Sequence, residues 1–206
     1  MKWKLNNIVK ETDHPFLNYY TVKYEVEKED NSKKEHTYFI ASRNQSIEEL
    51  RINKQDFHRS DAVLVGAYLL KGDELFLLLE KQFRPALNHE IVAFPAGLTD
   101  KEDKDIITTA LRELKEETGY DATDMELIMP PSPTSEGLSD ECNSAVIASI
   151  TSKGEEHKEE FEDINTKLYS VKEVEDMLAD KSVIFSNSSR LLALYLIERF
   201  AKKKGK

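Results

Sequence analysis

Three carboxylates and an arginine crowded into one short stretch give the first chemical signal. The segment Arg112-Glu113-Leu114-Lys115-Glu116-Glu117-Thr118-Gly119-Tyr120 reads as the end of a helix, with Gly119 as its stop. On a helix, Glu113, Glu116 and Glu117 stand at i, i+3 and i+4, so their side chains are neighbours. Three like charges on one patch repel each other unless a cation sits among them. Carboxylate oxygens suit hard cations such as Mg²⁺ or Mn²⁺. A cluster of this kind can hold such ions against a diphosphate, where they polarise phosphoryl oxygens and activate water. Arg112 would neutralise part of the charge and orient a glutamate through paired hydrogen bonds. The plain alternative is a solvated acidic helix face, and the Glu-x-x-Glu-Glu pattern alone does not separate the two.

Such a cluster needs a rigid carrier. The spacing predicts a helix over residues 105–118, with Asp105 as N-cap and Ile107, Ala110, Leu111 and Leu114 as the apolar stripe that fixes it to a core. Upstream, residues 62–70 and 74–83 are apolar runs separated by Lys71-Gly72-Asp73, a hairpin signal. Residues 91–94 read as a short strand ending at Pro95, and residues 144–150 and 164–171 as further strands. Two helices follow, over 171–179 and 188–202, each with an apolar stripe. Before all of this, residues 1–58 read as a small β-region: a strand over 17–26, a charged turn, a return strand over 38–41 and a short helical turn at 46–50. Residues 51–61 are polar and read as a linker. The domain reading is therefore 1–58 as an N-terminal β-region and 59–206 as the main domain, with an α/β (α+β) sandwich as the fold class.

Composition excludes some roles. With 29 basic and 39 acidic residues among 206, the formal net charge is −10, which argues against nucleic-acid binding as the main task. A small anionic substrate stays compatible, because bound divalent cations reverse the local sign. One cysteine, Cys142, cannot build an internal disulfide framework and favours a reducing compartment. Neither a signal-peptide run in residues 1–10 nor a membrane-length apolar stretch is present, so the expectation is a soluble cytoplasmic protein with no membrane partner. The five histidines are scattered and show no metal-ligand spacing.

Pro95-Ala96-Gly97, followed fifteen residues after Gly97 by Arg112-Glu113-Leu114-Lys115-Glu116-Glu117-Thr118-Gly119-Tyr120, resembles the Nudix box. That pattern is a glycine, a glutamate six residues on, then Arg-Glu-hydrophobic-x-Glu-Glu-x-Gly-hydrophobic starting fourteen residues after the glycine. The second half matches at every fixed position. The first half departs, because the spacing is one residue longer. Counting back from Arg112 puts Lys104 where the glutamate belongs, with Asp103 or Asp105 as substitutes. In the family that glutamate braces the arginine and the loop. Lys81-Gln82-Phe83-Arg84-Pro85 followed by Phe94-Pro95-Ala96-Gly97 is similar to the ADP-ribose pyrophosphatase branch, as is the segment from Ser135 to Glu141.

The resemblance implies a Nudix-type α/β/α sandwich with a small N-terminal β-region, a homodimer exchanging that region, and a small nucleotide substrate. It implies Glu113, Glu116, Glu117 and the Ala96 carbonyl as ligands of Mg²⁺, with Mn²⁺ as the alternative, and catalytic parts for Arg112, Glu116 and Glu160. Glu160 is the first choice of base, with Glu159 next. Arg84, Glu141 and an aromatic residue such as Trp3, Phe16 or Tyr20 are implied to bind phosphate, ribose and base. One departure bears on substrate: many members carry an acidic residue just before the Phe-Pro-Ala-Gly turn, where this chain has Ala93, with Glu90 nearby. The expected reaction is hydrolysis of ADP-ribose to AMP and ribose 5-phosphate. The rivals are a hydrolase for another nucleotide sugar or a nucleoside triphosphate, and a non-catalytic sensor of such ligands.

Overall fold

The computed structural model describes residues 1–157 and 163–204. In chain order the elements are β1 (Lys2–Lys10), β2 (Asn18–Glu27), β3 (Lys33–Ser42), α1 (Arg51–Lys54), β4 (Ala62–Lys71), β5 (Glu74–Arg84), β6 (His89–Ala93), β7 (Ala96–Leu98), α2 (Ile106–Thr118), β8 (Tyr120–Pro133), β9 (Cys142–Lys153), β10 (Ile164–Ser170), α3 (Val171–Ala179) and α4 (Asn187–Lys204). They fall into two compact units, Met1–Asp61 with Pro131–Asn143, and Ala62–Pro130 with Ser144–Lys206.

The first unit is built on an antiparallel meander, β1-β2-β3. Tyr20, Val22 and Val26 alternate onto one face and are buried. The segment between β8 and β9 belongs to this unit and is fastened by a buried ion network. Arg51 reaches Asp61 at 2.7 Å through Nη2 and donates from Nε to the Asp140 carbonyl at 2.8 Å. It also donates to the carbonyls of Asp56 and Arg59. Asp61 in turn accepts the Cys142 amide at 2.8 Å. The sequence reading placed a helical turn at 46–50 and a linker beyond it. The short helix instead begins at Arg51, with residues 47–49 forming turns before it.

The second unit is a seven-stranded sheet of order β10-β5-β4-β9-β8, with β6 paired to β5 and β7 to β4. Because strand side chains alternate, each strand feeds two cores. Leu64, Leu77, Leu79, Ala145 and Ile147 join Val174, Leu192, Leu196 and Phe200 on the side of α3 and α4. Val63, Val65, Ala67, Leu78, Val146 and Ala148 join Ala110 and Leu114 of α2 on the other side. The result is a helix–sheet–helix sandwich in which α2 has one face to itself.

Helix α2 is specified locally. The Asp105 side chain accepts the Thr108 amide at 2.8 Å, and this N-cap bond holds the Asp105 carboxyl below the usual carboxylate range. Gly119 ends the helix with φ 72°, its amide on the Lys115 carbonyl. A Cβ at Gly119 would meet the Gly154 carbonyl oxygen at 2.7 Å, so the next loop also needs glycine there. Of the predicted stripe, Ala110 and Leu114 are buried, whereas Leu111 is exposed.

Candidate active site

The site is assembled where β7 meets α2. β7 pairs antiparallel with β4, Val63 opposite Gly97 and Leu64 opposite Ala96, and the Val65 amide donates to the Pro95 carbonyl at 2.8 Å. This fixes the Pro95-Ala96-Gly97 turn to the middle of the sheet. The Ala96 amide then donates to Glu117 Oε2 at 3.2 Å, and Glu117 is 4% exposed. Gly97 lies directly against Glu113: a Cβ at 97 would sit 1.8 Å from the Glu113 Cδ and about 2 Å from both carboxylate oxygens. Glycine is required there because its missing side chain leaves the space that the Glu113 carboxylate fills.

Arg112 ties the parts together. Its Nη1 donates to Glu113 Oε1 at 2.8 Å and Glu116 Oε2 at 3.2 Å. Its Nη2 donates to the Leu98 carbonyl at 2.9 Å and Asp103 Oδ2 at 3.0 Å, and Nε reaches Asp103 Oδ1 at 3.4 Å. Asp100 lies 3.3 Å from the same guanidinium. The acids hold the Arg112 guanidinium protonated more firmly than usual, the Asp103 bond first among them. Asp103 is only 7% exposed at its side chain, and the Arg112 hydrogen bond pulls its carboxyl down to about 2.

Asp103 is therefore the residue that braces the arginine. Lys104, reached by counting back from Arg112, is itself a cation and offers the guanidinium no acceptor, and Asp105 is occupied as the helix cap. Two further partners of Arg112, Asp100 and the Leu98 carbonyl, escaped the sequence reading. Asp100 is one of several acids in a polar loop, and a carbonyl carries no sequence signal.

The predicted cluster is thus partly assembled. Arg112, Glu113, Glu116, Glu117 and Ala96 are brought together on one end of α2 and β7. Among the described residues, no three acidic, histidine or cysteine side chains already stand at the mutual distances of a closed metal centre. Arg112 instead spans Glu113 and Glu116, and Glu116 is partly exposed. The donor set is all oxygen, and the space vacated by the Gly97 side chain holds one carboxylate in place, so the residues fit a hard cation once Glu116 swings away from the guanidinium.

The other predicted residues stand on other elements. Arg84 ends β5 opposite His89, with its side chain exposed. Trp3 and Glu141 belong to the first unit. Trp3 is 54% exposed and meets Tyr24 and His36 edge-on at 5.5 and 5.4 Å. Glu141 accepts from Arg43 Nε and Thr134 Oγ1, both at 3.1 Å, and lines a cavity with Leu17, Arg43, Asn44 and Asp140. Of the other aromatic candidates, Phe16 is exposed and Tyr20 is fully buried, with its hydroxyl on the Asn44 carbonyl. Burial takes Tyr20 away from any stacking role. The loop after β9 docks on the end of α2, the Gly154 amide on the Gly119 carbonyl and the His157 amide on the Glu116 carbonyl, both at 2.8 Å. Glu159 and Glu160 follow it and lie outside the described residues.

Comparison with known proteins identifies this arrangement. The NUDIX domain profile matches residues 60–187. The chain belongs to the NUDIX domain family. It is 52% identical over 64 residues to an ADP-ribose pyrophosphatase of Saccharomyces cerevisiae, covering 31% of this chain and 25% of that protein. It is 41% identical over 97 residues to an ADP-ribose pyrophosphatase of Bacillus subtilis, covering 47% of this chain and 51% of that protein. The chain therefore spans about half or less of the length of these relatives. A solved structure described as an ADP compounds hydrolase superposes with a TM-score of 0.69 at 17% identity, over 100% of this chain and 97% of that one. At that identity the likeness shows the Nudix fold, as the sequence predicted. No helix among the described residues is long and apolar enough to cross a membrane.

Proposed function

We propose that this Nudix protein is a cytoplasmic, Mg²⁺-dependent pyrophosphohydrolase that splits ADP-ribose into AMP and ribose 5-phosphate. The observation that carries the reading is the end of α2: three carboxylates within one turn, with Glu113 seated in the space left by Gly97 and Glu117 held by the Ala96 amide. The named activity of the yeast and Bacillus relatives supports the substrate.

Glu113, Glu117 and Glu116, with the Ala96 carbonyl, would hold the cation. A divalent ion seated there withdraws charge from the diphosphate and makes water a better nucleophile; Mn²⁺ satisfies the same oxygen donors. Arg112 keeps Glu113 and Glu116 oriented and balances their charge between turnovers. Water adds to one phosphorus as the bridging P–O bond breaks in line, and Glu160, assigned from sequence, takes the water proton. Arg84 would bind phosphate, Glu141 the ribose and Trp3 the base. The exposed indole and the cavity at Glu141 support the last two roles. A homodimer is proposed as well, supported by the exposed Trp3, Tyr38 and Phe57 of the first unit.

The test is Glu117→Gln in the full chain, assayed with ADP-ribose, GDP-mannose, UDP-glucose and NADH under saturating Mg²⁺. The expected result is AMP release by the parent protein and a kcat loss of about 10³-fold or more in the variant, with an unchanged circular dichroism spectrum. Near-normal turnover by the variant refutes the cation site. Binding of ADP-ribose without turnover in the parent makes the protein a sensor, and turnover of another substrate alone moves the specificity.

A further inference from the structure

Strand β5 commits residues 77–79 to the core, Leu77, Leu78 and Leu79 all fully buried, and then places Glu80 at 1% exposure. A carboxylate in such a run weakens folding relative to a valine or leucine of similar reach. Its direction follows from alternation. Leu77 and Leu79 belong to the core under α3 and α4, whereas Leu78 packs with Ala110 and Leu114 of α2. Glu80 therefore shares the α2 face of the sheet. Gln82, two residues on, shares it too, is 9% exposed, and has no hydrogen-bond partner for Oε1 among the described residues. The α2 side of β5 thus changes from apolar to polar at Glu80.

The register places that change beside the site. Glu80 is directly opposite Ala93 in the β5–β6 pair, which sets their Cβ atoms about 5 Å apart on one face. Ala93 is small and leaves room for the longer side chain. Three residues further on is Ala96, whose amide holds Glu117, and between them the Pro95 carbonyl is pinned by Val65. On the basis of the hydrolase reading above, we propose that Glu80 is a positioning carboxylate of the cation site, adding negative charge from the sheet side to the cluster on α2. A buried anion there strengthens the hold on a divalent ion without having to touch it, and it keeps the Glu117 turn of the helix facing a site of fixed charge.

The test uses Glu80→Gln, Glu80→Val and the double variant Glu80→Val/Ala93→Glu in the full chain. The last returns a carboxylate from the opposing strand position. Binding of Mn²⁺ is read by electron paramagnetic resonance, with thermal unfolding and steady-state kcat and KM alongside. Glu80→Gln and Glu80→Val should weaken Mn²⁺ binding and lower kcat, each by about 10- to 100-fold, with KM little changed. Both single variants should keep a cooperative thermal unfolding transition, and the double variant should regain most of the Mn²⁺ affinity. Should Glu80→Val fail to fold, Glu80→Gln, which keeps shape and hydrogen-bonding capacity, carries the result alone. Parent-like Mn²⁺ affinity in Glu80→Gln overturns the proposal, and so does a loss of affinity that only follows a loss of fold. A parent protein that neither binds Mn²⁺ nor hydrolyses any substrate overturns the hydrolase reading itself. A working parent with an indifferent Glu80 overturns only this inference.

Discussion

Gly97→Ala tests the cation site without altering any charged group. The backbone at Gly97 is outside the left-handed region, which among the described glycines only Gly72 and Gly119 occupy, so alanine is not strained there. The three nearest atoms to the new methyl all belong to the Glu113 carboxylate. The new methyl would stand 1.8 Å from its Cδ, and ordinary contact begins at 3.4 Å, so the carboxylate must retreat by at least 3.4 − 1.8 = 1.6 Å. Displacements of about 1 Å in a catalytic group cost roughly 10²-fold in rate. The expected loss in kcat is therefore about 10²-fold or more, equivalent to about 2.7 kcal/mol of barrier. Stability should fall modestly, because the entropic gain of about 0.4–1 kcal/mol from restricting the unfolded chain is outweighed by loss of the Arg112 bond to the displaced Glu113, about 1.5–3 kcal/mol. The assay is steady-state hydrolysis of ADP-ribose with Mg²⁺, beside urea unfolding of both proteins. A cycle with Glu113→Gln isolates the cause: if the methyl acts through Glu113, adding it to Glu113→Gln changes kcat hardly at all. Wild-type kcat in Gly97→Ala, or full additivity in the cycle, would refute the assignment of Glu113.

Two further perturbations address the brace. Asp103→Asn should lower stability at neutral pH by about 1–3 kcal/mol, because the bond from the Arg112 guanidinium loses its charged acceptor. The folded-state value near 2 lies below the ordinary 3.8, so the Asp103 contribution is complete above pH 3.8 and disappears as pH falls through about 2. The stability gap between wild type and variant, followed by urea unfolding across acid pH, should close over that interval; a constant gap would remove Asp103 from the brace. Arg112→Lys replaces a planar fork with a point charge that cannot serve Asp103, Glu113, Glu116 and the Leu98 carbonyl together. It should lose about 1.5–3 kcal/mol of stability and a larger share of kcat than of KM, and equal kcat in the two proteins would contradict the orienting role.

What could be read from the sequence was whatever is specified locally. Helix α2 announces itself through Asp105, Gly119 and the i, i+3, i+4 glutamates, and the β4–β5 hairpin through Gly72. Strand β1 escaped because a bulge between Leu5 and Asn7 shifts its register. Trp3, Leu5 and Ile8 share a face but do not alternate in sequence, which hides the period-two signal. Strand β8 escaped because Pro130, Pro131 and Pro133 argue against a central strand. It runs along the edge of the sheet order, where proline is tolerated. Arg51 looked like linker because its partner Asp140 is 89 residues away. Glu80 was equally invisible, since its nearness to the site depends on a pairing with Ala93 that only the β5–β6 register reveals.

The longer first half of the box shows how a departure in spacing is absorbed. Counting six residues forward from Gly97 reaches Asp103, whereas counting back from Arg112 reaches Lys104. The contacts decide for the forward count, since Asp103 is the acid on Arg112. The additional residue therefore falls between Asp103 and the first turn of α2, where Asp105 caps the helix. The loop also binds itself, with the Asp100 amide and the Thr109 hydroxyl both donating to Asp103 Oδ2 at 3.0 and 2.9 Å. Aspartate is one methylene shorter than glutamate, and its oxygens still meet the guanidinium because these bonds draw the loop in towards the helix. Reach lost in the side chain is recovered by the backbone, and Arg112 keeps its hold on Glu113 and Glu116.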